Sequence, residues 1–376
     1  MKTVVNADTP KRRDRRTARA LGAMEKAAAR SDRRRRELPP VQALVRAPGV
    51  EFAHGDRARP FHTASVGKMM TSTLAFQLAE RGRLDLDAPV TDLLPKSATA
   101  GLFRRAAADA AHEVTPRMLA AHTSGVADYF EDANDTGTPF PRLLAHERGR
   151  RWSPDDLIDF TRAHQAPVDA PGTSFHYSDT GYVLLARVVE EHGDASLAEQ
   201  LHARVFGPTG MNSSALAFHT VPGGAGATGT PRAEMDIAPL VVDGTDLADA
   251  PALSCDWGGG GVVSTLDDLA RFAQAWHRGD LLGPEGRDAM QRPRHRFRSG
   301  IHYGTGLMEL RYGEFFPLLR GLPRTIGHLG VTGAHLFSAP ELDVTIVLNA
   351  HSTAEMTRSF QLHIRLLQAA VSAARS

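Results

Sequence analysis

The chain has 376 residues, of which 42% are hydrophobic, and its formal net charge at pH 7 is +1. This composition is typical of a globular protein, and the near-neutral charge gives no general attraction to nucleic acid or to a membrane surface. The single cysteine, Cys255, excludes an internal disulfide, and no run of 18 apolar residues predicts a membrane-spanning helix. Because the N-terminus lacks the apolar segment of a secretory signal, we expect a cytoplasmic protein.

Residues 11–36 form a basic segment with twelve Lys and Arg against three acidic residues. The stretch from Ala18 to Ala29 is rich in helix-forming residues and predicts a frayed, solvated helix. A tail that binds nucleic acid is the alternative, but no aromatic residue is interleaved with the basic ones. We therefore expect no nucleic-acid partner.

Two short strands are predicted next, on either side of Pro48-Gly49, and a helix follows. The strands run from Val41 to Val45 and from Val50 to Ala53, and the helix begins near Ser65 and ends at Gly82. Apolar residues recur in this helix at helical spacing, and glycine is a common residue at the end of a helix.

Ser65 and Lys68 form an S-x-x-K motif at the start of this helix. A spacing of three places both side chains on one helical face, where an amine can activate a weak serine hydroxyl as a nucleophile. Backbone N–H groups without helical partners lie at the same end and favour a developing oxyanion. The alternative is a helix-capping serine beside a solvated lysine.

The remaining elements indicate a mostly helical middle and a return to mixed structure near the C-terminus. Helices are predicted from Pro154 to His164, from Gly181 to His192 with Gly193 as cap, after Ser264-Thr265, and from Thr353 to Ala374; strands are predicted from His335 to Ala339 and from Val344 to Asn349. We expect three parts, which are the basic segment 1–36, an α/β lobe from 37–85 and 251–376, and a helical lobe from 86–250.

Two more strings follow the S-x-x-K motif, Tyr177-Ser178-Asp179 and His328-Leu329-Gly330. In this order the chain resembles the serine β-lactamase and penicillin-binding protein superfamily, in particular its branch of class C β-lactamases, D-Ala-D-Ala carboxypeptidases, esterases and acyltransferases. The resemblance implies an α/β (α+β) fold in which an antiparallel sheet flanked by helices carries an inserted helical lobe. It is specific for serine chemistry and poorly specific for substrate.

The resemblance implies that Ser65 attacks an ester, amide or thioester carbonyl. Lys68 then either takes the serine proton or holds it electrostatically, and Tyr177 shares this proton transfer. The backbone N–H groups of Ser65 and Val331 are the expected oxyanion hole. The alternative for Tyr177 is an aromatic side chain that packs between the lobes.

Two residues depart from the pattern of penicillin-recognising relatives. Asp179 stands where Asn is more common, and an ionised Asp cannot donate a hydrogen bond to a substrate carbonyl. A carboxylate near Lys68 also favours its ammonium form and moves the base role toward Tyr177; the alternative is that Asp179 caps a helix. His328 replaces a fixed Lys charge and is mostly neutral at pH 7, and a structural strand histidine is its alternative.

Further candidate substrate contacts are Gly330, Trp257 and Tyr303, and for the two aromatic residues core packing is an equal alternative. The seventeen histidines are scattered, so no metal and no cofactor are expected. The expected partners are a small ester or amide as acyl donor and water, an amine or an alcohol as acceptor.

We therefore predict a serine hydrolase or acyltransferase that works through an acyl-Ser65 intermediate. The alternatives are an amide-forming transacylase of secondary metabolism, a D-amino-acid peptidase or carboxypeptidase, and a ligand sensor without catalysis.

Overall fold

The computed structural model of the chain describes residues 10–35, 37–105 and 108–375. Within these residues its strands are β1 (Gln42–Ala47), β2 (Val50–His54), β3 (Phe61–His62), β4 (Arg104–Arg105), β5 (Ala108–Asp109), β6 (Ala215–Leu216), β7 (Val241–Val242), β8 (Thr245–Asp246), β9 (Val262–Ser264), β10 (His295–Arg298), β11 (Ile301–Tyr303), β12 (Met308–Leu310), β13 (Thr325–Gly330), β14 (Ala334–Ala339) and β15 (Val344–Asn349).

The helices of the same residues are α1 (Pro10–Asp32), α2 (Lys68–Glu80), α3 (Val90–Leu93), α4 (Lys96–Thr99), α5 (Pro116–Ala120), α6 (Phe140–His146), α7 (Pro154–His164), α8 (Asp179–Gly193), α9 (Leu197–Leu201), α10 (Gly207–Thr209), α11 (Pro231–Met235), α12 (Trp257–Gly260), α13 (Leu266–Arg278), α14 (Pro284–Gln291), α15 (Tyr312–Phe315) and α16 (Met356–Ala374). No helix in the described ranges is both long enough and apolar enough to cross a membrane.

Eight strands form one large sheet in the order β10-β11-β12-β13-β14-β15-β1-β2, and every neighbouring pair is antiparallel. β1 and β2 come from the start of the chain and the other six strands from its last third. Most of the helices lie in the chain between these two groups. The fold is thus the expected antiparallel sheet flanked by helices, with a mostly helical insertion.

Alternating residues of the sheet enter two separate cores. On β1, the side chain of Leu44 packs into the core shared with the helical insertion and α13, whereas Ala43 and Val45 pack on the opposite face under α1 and α16. Successive side chains of a strand point to opposite faces, so a strand covered on both sides is buried throughout. The sheet is therefore the middle layer of three.

The basic segment is not the solvated helix predicted from its charge. α1 packs against α16, and Ala20, Met24 and Ala28 are buried there. These residues recur at spacings of four, which places them on one helical face. The charged side chains of α1 that the structure describes lie on its other faces, so the high charge of the segment made its narrow apolar stripe hard to recognise in the sequence.

The caps predicted from sequence are partly correct. The helix predicted from Pro154 to His164 is α7 to the residue, because Ser153 and Asp156 form a reciprocal capping box. Gly193, predicted as the cap of α8, is instead its last residue, and Asp194 adopts the left-handed conformation with φ of 54°. A Cβ at Gly193 would lie only 2.1 Å from the side chain of Gln200, so glycine serves close packing there.

Candidate active site

Ser65 lies in a tight 3₁₀ turn, Ala64–Gly67, between β3 and α2. The residue before it, Ala64, has a positive φ of 47°, a conformation that is uncommon for residues other than glycine. Lys68 begins α2, and its Nζ lies 3.1 Å from Ser65 Oγ. The spacing of three thus brings the predicted nucleophile and its amine into hydrogen-bond contact.

Lys68 is fully buried and donates three hydrogen bonds. The acceptors are Ser65 Oγ, the carbonyl oxygen of Gly259 at 2.7 Å, and the carboxylate of Asp179. A lysine ammonium has three N–H donors and no acceptor, so these partners use all of them. This arrangement suits an electrostatic role of Lys68 better than acceptance of the serine proton.

Tyr177 directly precedes the residue that caps α8, and its hydroxyl is hydrogen-bonded to Ser65. Its ring stacks on His122 at a centroid distance of 4.1 Å, and Lys68 Nζ lies 5.1 Å from its centroid. Burial and the charge of Asp179 raise the pKa of Tyr177 well above its usual value, although the bond to Ser65 opposes the rise. At neutral pH Tyr177 is therefore a phenol that can receive a proton only while releasing its own.

The helix-capping alternative for Asp179 is wrong, because Ser178 caps α8. The Ser178 Oγ accepts a hydrogen bond from the N–H of Gly181 at 3.1 Å. The Asp179 side chain instead contacts Lys68, and its backbone N–H donates to Asp128 at 3.0 Å. Asp179 is therefore a partner of Lys68 rather than a helix cap.

Two more carboxyl groups, those of Asp128 and Asp256, lie close to this ion pair. Burial and the charge of Asp179 raise the pKa of Asp128 well above its usual value. The same two causes raise the pKa of Asp256 to about 7, against the opposing charge of Lys68. Both shifts favour the protonated, uncharged form of these carboxyl groups. Sequence reasoning missed Asp256, whose one signal is its position just before the glycine run 258–261.

His328 is buried on β13 and serves as a hydrogen-bond acceptor. Its Nδ1 donates to the carbonyl of Leu329 at 2.7 Å, so the neutral ring accepts a bond from the Tyr303 hydroxyl at Nε2, 3.1 Å away. Burial and the charge of Lys68 lower the pKa of His328 to about 3. The residue is thus neutral at pH 7, and it supports Tyr303, whose ring lies 6.1 Å from that of Tyr177.

Glycines allow the segments of the site to approach closely. A Cβ at Gly330 would lie 2.7 Å from the carbonyl oxygen of Thr63, and one at Gly260 would lie 2.5 Å from the carbonyl carbon of Ala64. Such distances are far below normal contact, so only glycine fits without movement. β13 and α12 therefore both press against the turn that carries Ser65.

A pocket of about 440 Å³ opens beside Ser65. Ser65, Tyr177 and Val331 line it, so the two residues that carry the expected oxyanion donors border one cavity. Most of its wall is apolar and comprises Phe297, Ile301, Met308, Phe315, Leu329, Met356 and Phe360. The charged side chains of Glu131 and Arg298 also border it.

Several predicted substrate contacts lie behind this wall rather than on it. Trp257 and Tyr303 are buried, at 5% and 0% exposure, and neither is among the residues that line the pocket. Core packing, the alternative named from the sequence, describes both positions. His328, Gly330 and Asp179 are also set back. Within the described part of the chain, no group of three or more His, Cys, Asp or Glu is arranged to hold a metal ion.

The fold and the Ser65 site define a serine β-lactamase-like protein, and comparison with known proteins agrees. The family model described as Beta-lactamase matches residues 35–370, so the chain belongs to that family. It is 33% identical to Penicillin-binding protein 4 of Amycolatopsis lactamdurans over 237 residues, which are 60% of this chain and 52% of that protein. It is 34% identical to Esterase EstB of Burkholderia gladioli over 159 residues, 40% of this chain and 37% of the esterase.

Among solved structures, the D-amino acid amidase from Ochrobactrum anthropi SV3 shares the fold. Its TM-score is 0.75 at 22% sequence identity, and the match covers 95% of this chain and 99% of the amidase. The chain spans about half the length, or less, of the curated relatives it matches. Relatives in the family thus include an esterase and a penicillin-binding protein, which leaves the substrate open.

Proposed function

We propose that this protein is a serine hydrolase that forms an acyl-enzyme at Ser65 and acts on a small ester or amide. The observation that carries the proposal is the contact of Ser65 with both Lys68 and Tyr177 at the edge of an apolar pocket. A non-catalytic ligand sensor would not need this arrangement. Membership of the family supports serine chemistry.

In the proposed reaction, Ser65 Oγ attacks the substrate carbonyl while the Lys68 ammonium stabilises the developing negative charge. Tyr177 receives the serine proton as it passes its own proton to the leaving group, so a free phenolate is never required. The N–H groups of Ser65 and Val331 bind the oxyanion, and loss of one such donor commonly lowers the rate ~10² to 10³-fold. Water, an amine or an alcohol then removes the acyl group by the reverse path.

The pocket favours an acyl group that is apolar, because its wall is formed mainly by aromatic and aliphatic side chains. Recognition of penicillins is disfavoured for two reasons. Asp179 carries a carboxylate, bound to Lys68, where an amide donor is usual, and the buried His328 is neutral, so this chain lacks the amide donor and the fixed charge that penicillin-recognising relatives have at these positions. An apolar ester is therefore the first substrate to test.

A second candidate is the amide of an apolar D-amino acid, because the structural neighbour from Ochrobactrum anthropi is named a D-amino acid amidase and the pocket wall here is apolar. Glu131 borders the pocket and offers a carboxylate for a substrate ammonium group. A Glu131→Gln variant separates the two candidates. It would lose activity on the amino-acid amide and keep activity on an uncharged ester.

Intact-protein mass spectrometry tests the proposed function. The protein is incubated separately with p-nitrophenyl butyrate, a fluorophosphonate and benzylpenicillin, beside the Ser65→Ala variant. We expect mass gain on the unmodified protein with the first two reagents and none on the variant. No adduct with any reagent on folded protein would refute the acyl-enzyme proposal, and a stable penicillin adduct would refute the argument from Asp179 and His328.

A further inference from the structure

A groove between α1 and α16 carries four exposed arginines, one on α1, one in the turn just after it and two on α16. The residues are Arg30, Arg34, Arg358 and Arg365, and together they are called the arginine groove. Ala27 and the buried Leu362 form its floor. Docking of α1 on α16 therefore creates a positive surface that neither helix has alone.

Most of this charge is uncompensated. Arg358 pairs with Glu355 at 2.7 Å, but Glu355 also contacts the buried Arg35 at 3.4 Å. For Arg30, Arg34 and Arg365, no carboxylate in the described residues lies within ion-pair distance. Like charges gathered on one surface repel each other, so an anion bound among these arginines would relieve the repulsion. Guanidinium groups match phosphate with paired hydrogen bonds.

The groove adjoins the active-site pocket through α16. Gln361 lines both of them, while Met356 and Phe360 face the pocket and Arg358 and Arg365 face the groove. A helix with its side chains is about 10 Å across. A ligand held in both places must therefore carry its anionic group more than about 10 Å from its reactive carbonyl, on a flexible arm.

We propose that the arginine groove binds the phosphate of an acyl donor whose carbonyl reaches Ser65, and that this donor is a phosphopantetheine thioester. The proposal rests on the proposed acyl-enzyme function. An extended pantetheine arm spans the width of α16, and its apolar acyl end suits the pocket. Neutral esters would use the pocket alone.

The chemistry follows from the site already described. A bond forms between Ser65 Oγ and the acyl carbon, and the carbon–sulfur bond breaks. The sulfur leaves as a thiol with the proton that Tyr177 supplies, while Tyr177 receives the proton of Ser65. The phosphate remains unchanged and serves only to hold the donor.

Calorimetry with the Ser65→Ala variant measures how tightly a thioester binds without its being turned over, and so tests the arginine groove. Butyryl-phosphopantetheine and butyryl-pantetheine differ only in the phosphate. We expect the phosphorylated thioester to bind about tenfold more tightly, the gain of a charge-assisted phosphate contact. The gain should shrink as salt rises from 0.05 to 0.5 M, since added ions screen exposed charges (about 10 Å Debye length at 0.1 M).

Charge-reversal variants test whether the gain in affinity from the phosphate arises in the arginine groove. Adding Arg30→Glu and Arg365→Glu to the Ser65→Ala protein should abolish it, whereas the matched pair Arg15→Glu and Arg19→Glu, on exposed positions of α1, should retain it. Equal affinity for the two thioesters, or the same gain after reversal of the groove charges, overturns the proposal. Equal affinities together with groove-dependent binding to phosphatidylglycerol vesicles would identify a lipid-binding surface and likewise overturn it.

Labelling of Ser65 and the binding measurement, taken together, distinguish this proposal from the proposed function. If Ser65 forms no acyl-enzyme but the phosphate-dependent binding is found, the acyl-enzyme proposal fails and the groove remains a phosphate site. If p-nitrophenyl butyrate labels Ser65 while phosphate adds nothing to binding, the acyl-enzyme proposal stands and the groove proposal fails.

Discussion

The carboxylate of Asp179 forms a buried ion pair with Lys68, and its charge also acts on Tyr177. One residue therefore influences both side chains that contact Ser65. It holds the Lys68 amine in an ion pair, and it raises the pKa of Tyr177, which disfavours the phenolate.

We expect the Asp179→Asn variant to change the pH dependence of catalysis. Removing a negative charge stabilises the phenolate, so the pKa of Tyr177 falls and the alkaline limb of the kcat/KM profile moves to lower pH. The measurement is ester hydrolysis between pH 6 and 11. Asp256→Asn is the control, because it removes a carboxyl near Lys68 that is not among the groups shifting Tyr177. An equal shift in both variants would contradict this role of Asp179.

The Lys68→Met variant should be strongly destabilised, because it leaves the Asp179 carboxylate buried without a partner. Breaking a buried ion pair in this way typically costs about 3–5 kcal/mol. Adding Asp179→Asn should restore most of the free energy of unfolding, measured in urea, while the double variant still forms no acyl-enzyme. Additive losses in the double variant would show that the two side chains are not energetically coupled.

The Gly330→Ala variant should fold but lose activity. The added methyl group would lie 2.7 Å from the carbonyl oxygen of Thr63, so β13 must move away from the turn that carries Ser65. That movement separates the two expected oxyanion donors, and we expect kcat/KM to fall ~10²-fold. Gly321→Ala is the matched control, because a Cβ there meets no atom within 4 Å. Full activity of Gly330→Ala would rule out this spacing requirement.

Stability should fall in mild acid because several buried histidines are neutral in the fold. Burial lowers the pKa of His363 to about 3, whereas unfolding returns it toward 6.5. Its stabilising contribution is complete above pH 6.5 and declines as the pH falls toward 3. Between pH 6.5 and 5 the loss is about 2 kcal/mol for each such histidine.

Urea unfolding at pH 7 and pH 5 measures this loss. His363→Phe should reduce the difference between the two conditions, while His112→Phe, at an exposed position, should leave it unchanged. A difference that is the same in all three proteins would assign the acid sensitivity to other groups.

Local patterns predicted the elements whose determinants are local. The strand pairs 42–47 with 50–54 and 334–339 with 344–349 follow from apolar runs separated by short turns, and α7 from its capping residues. The contact between Ser65 and Lys68 follows from a spacing of three within one helical turn. These features need no knowledge of the rest of the chain.

Features that depend on distant residues were not predictable in the same way. The buried face of α1 exists because α16, at the other end of the chain, covers Met24. The choice between capping and pairing for Asp179 was decided by Lys68, 111 residues earlier. Nothing in the sequence distinguished a pocket position from a core position for Trp257, and the one signal for Asp256 was its position just before the glycine run 258–261.

α16 belongs both to the core under α1 and to the wall of the pocket beside Ser65. Phe360 lines the pocket, while Leu366 and Leu367 of the same helix are buried beside the sheet. Local opening of α1 would therefore expose α16 to hydrogen exchange and loosen the side of the pocket that shapes the acyl group. Proteolytic trimming of α1 would then broaden substrate selectivity before it abolishes folding. The N-terminal helix would thus contribute to substrate specificity by holding α16 in place.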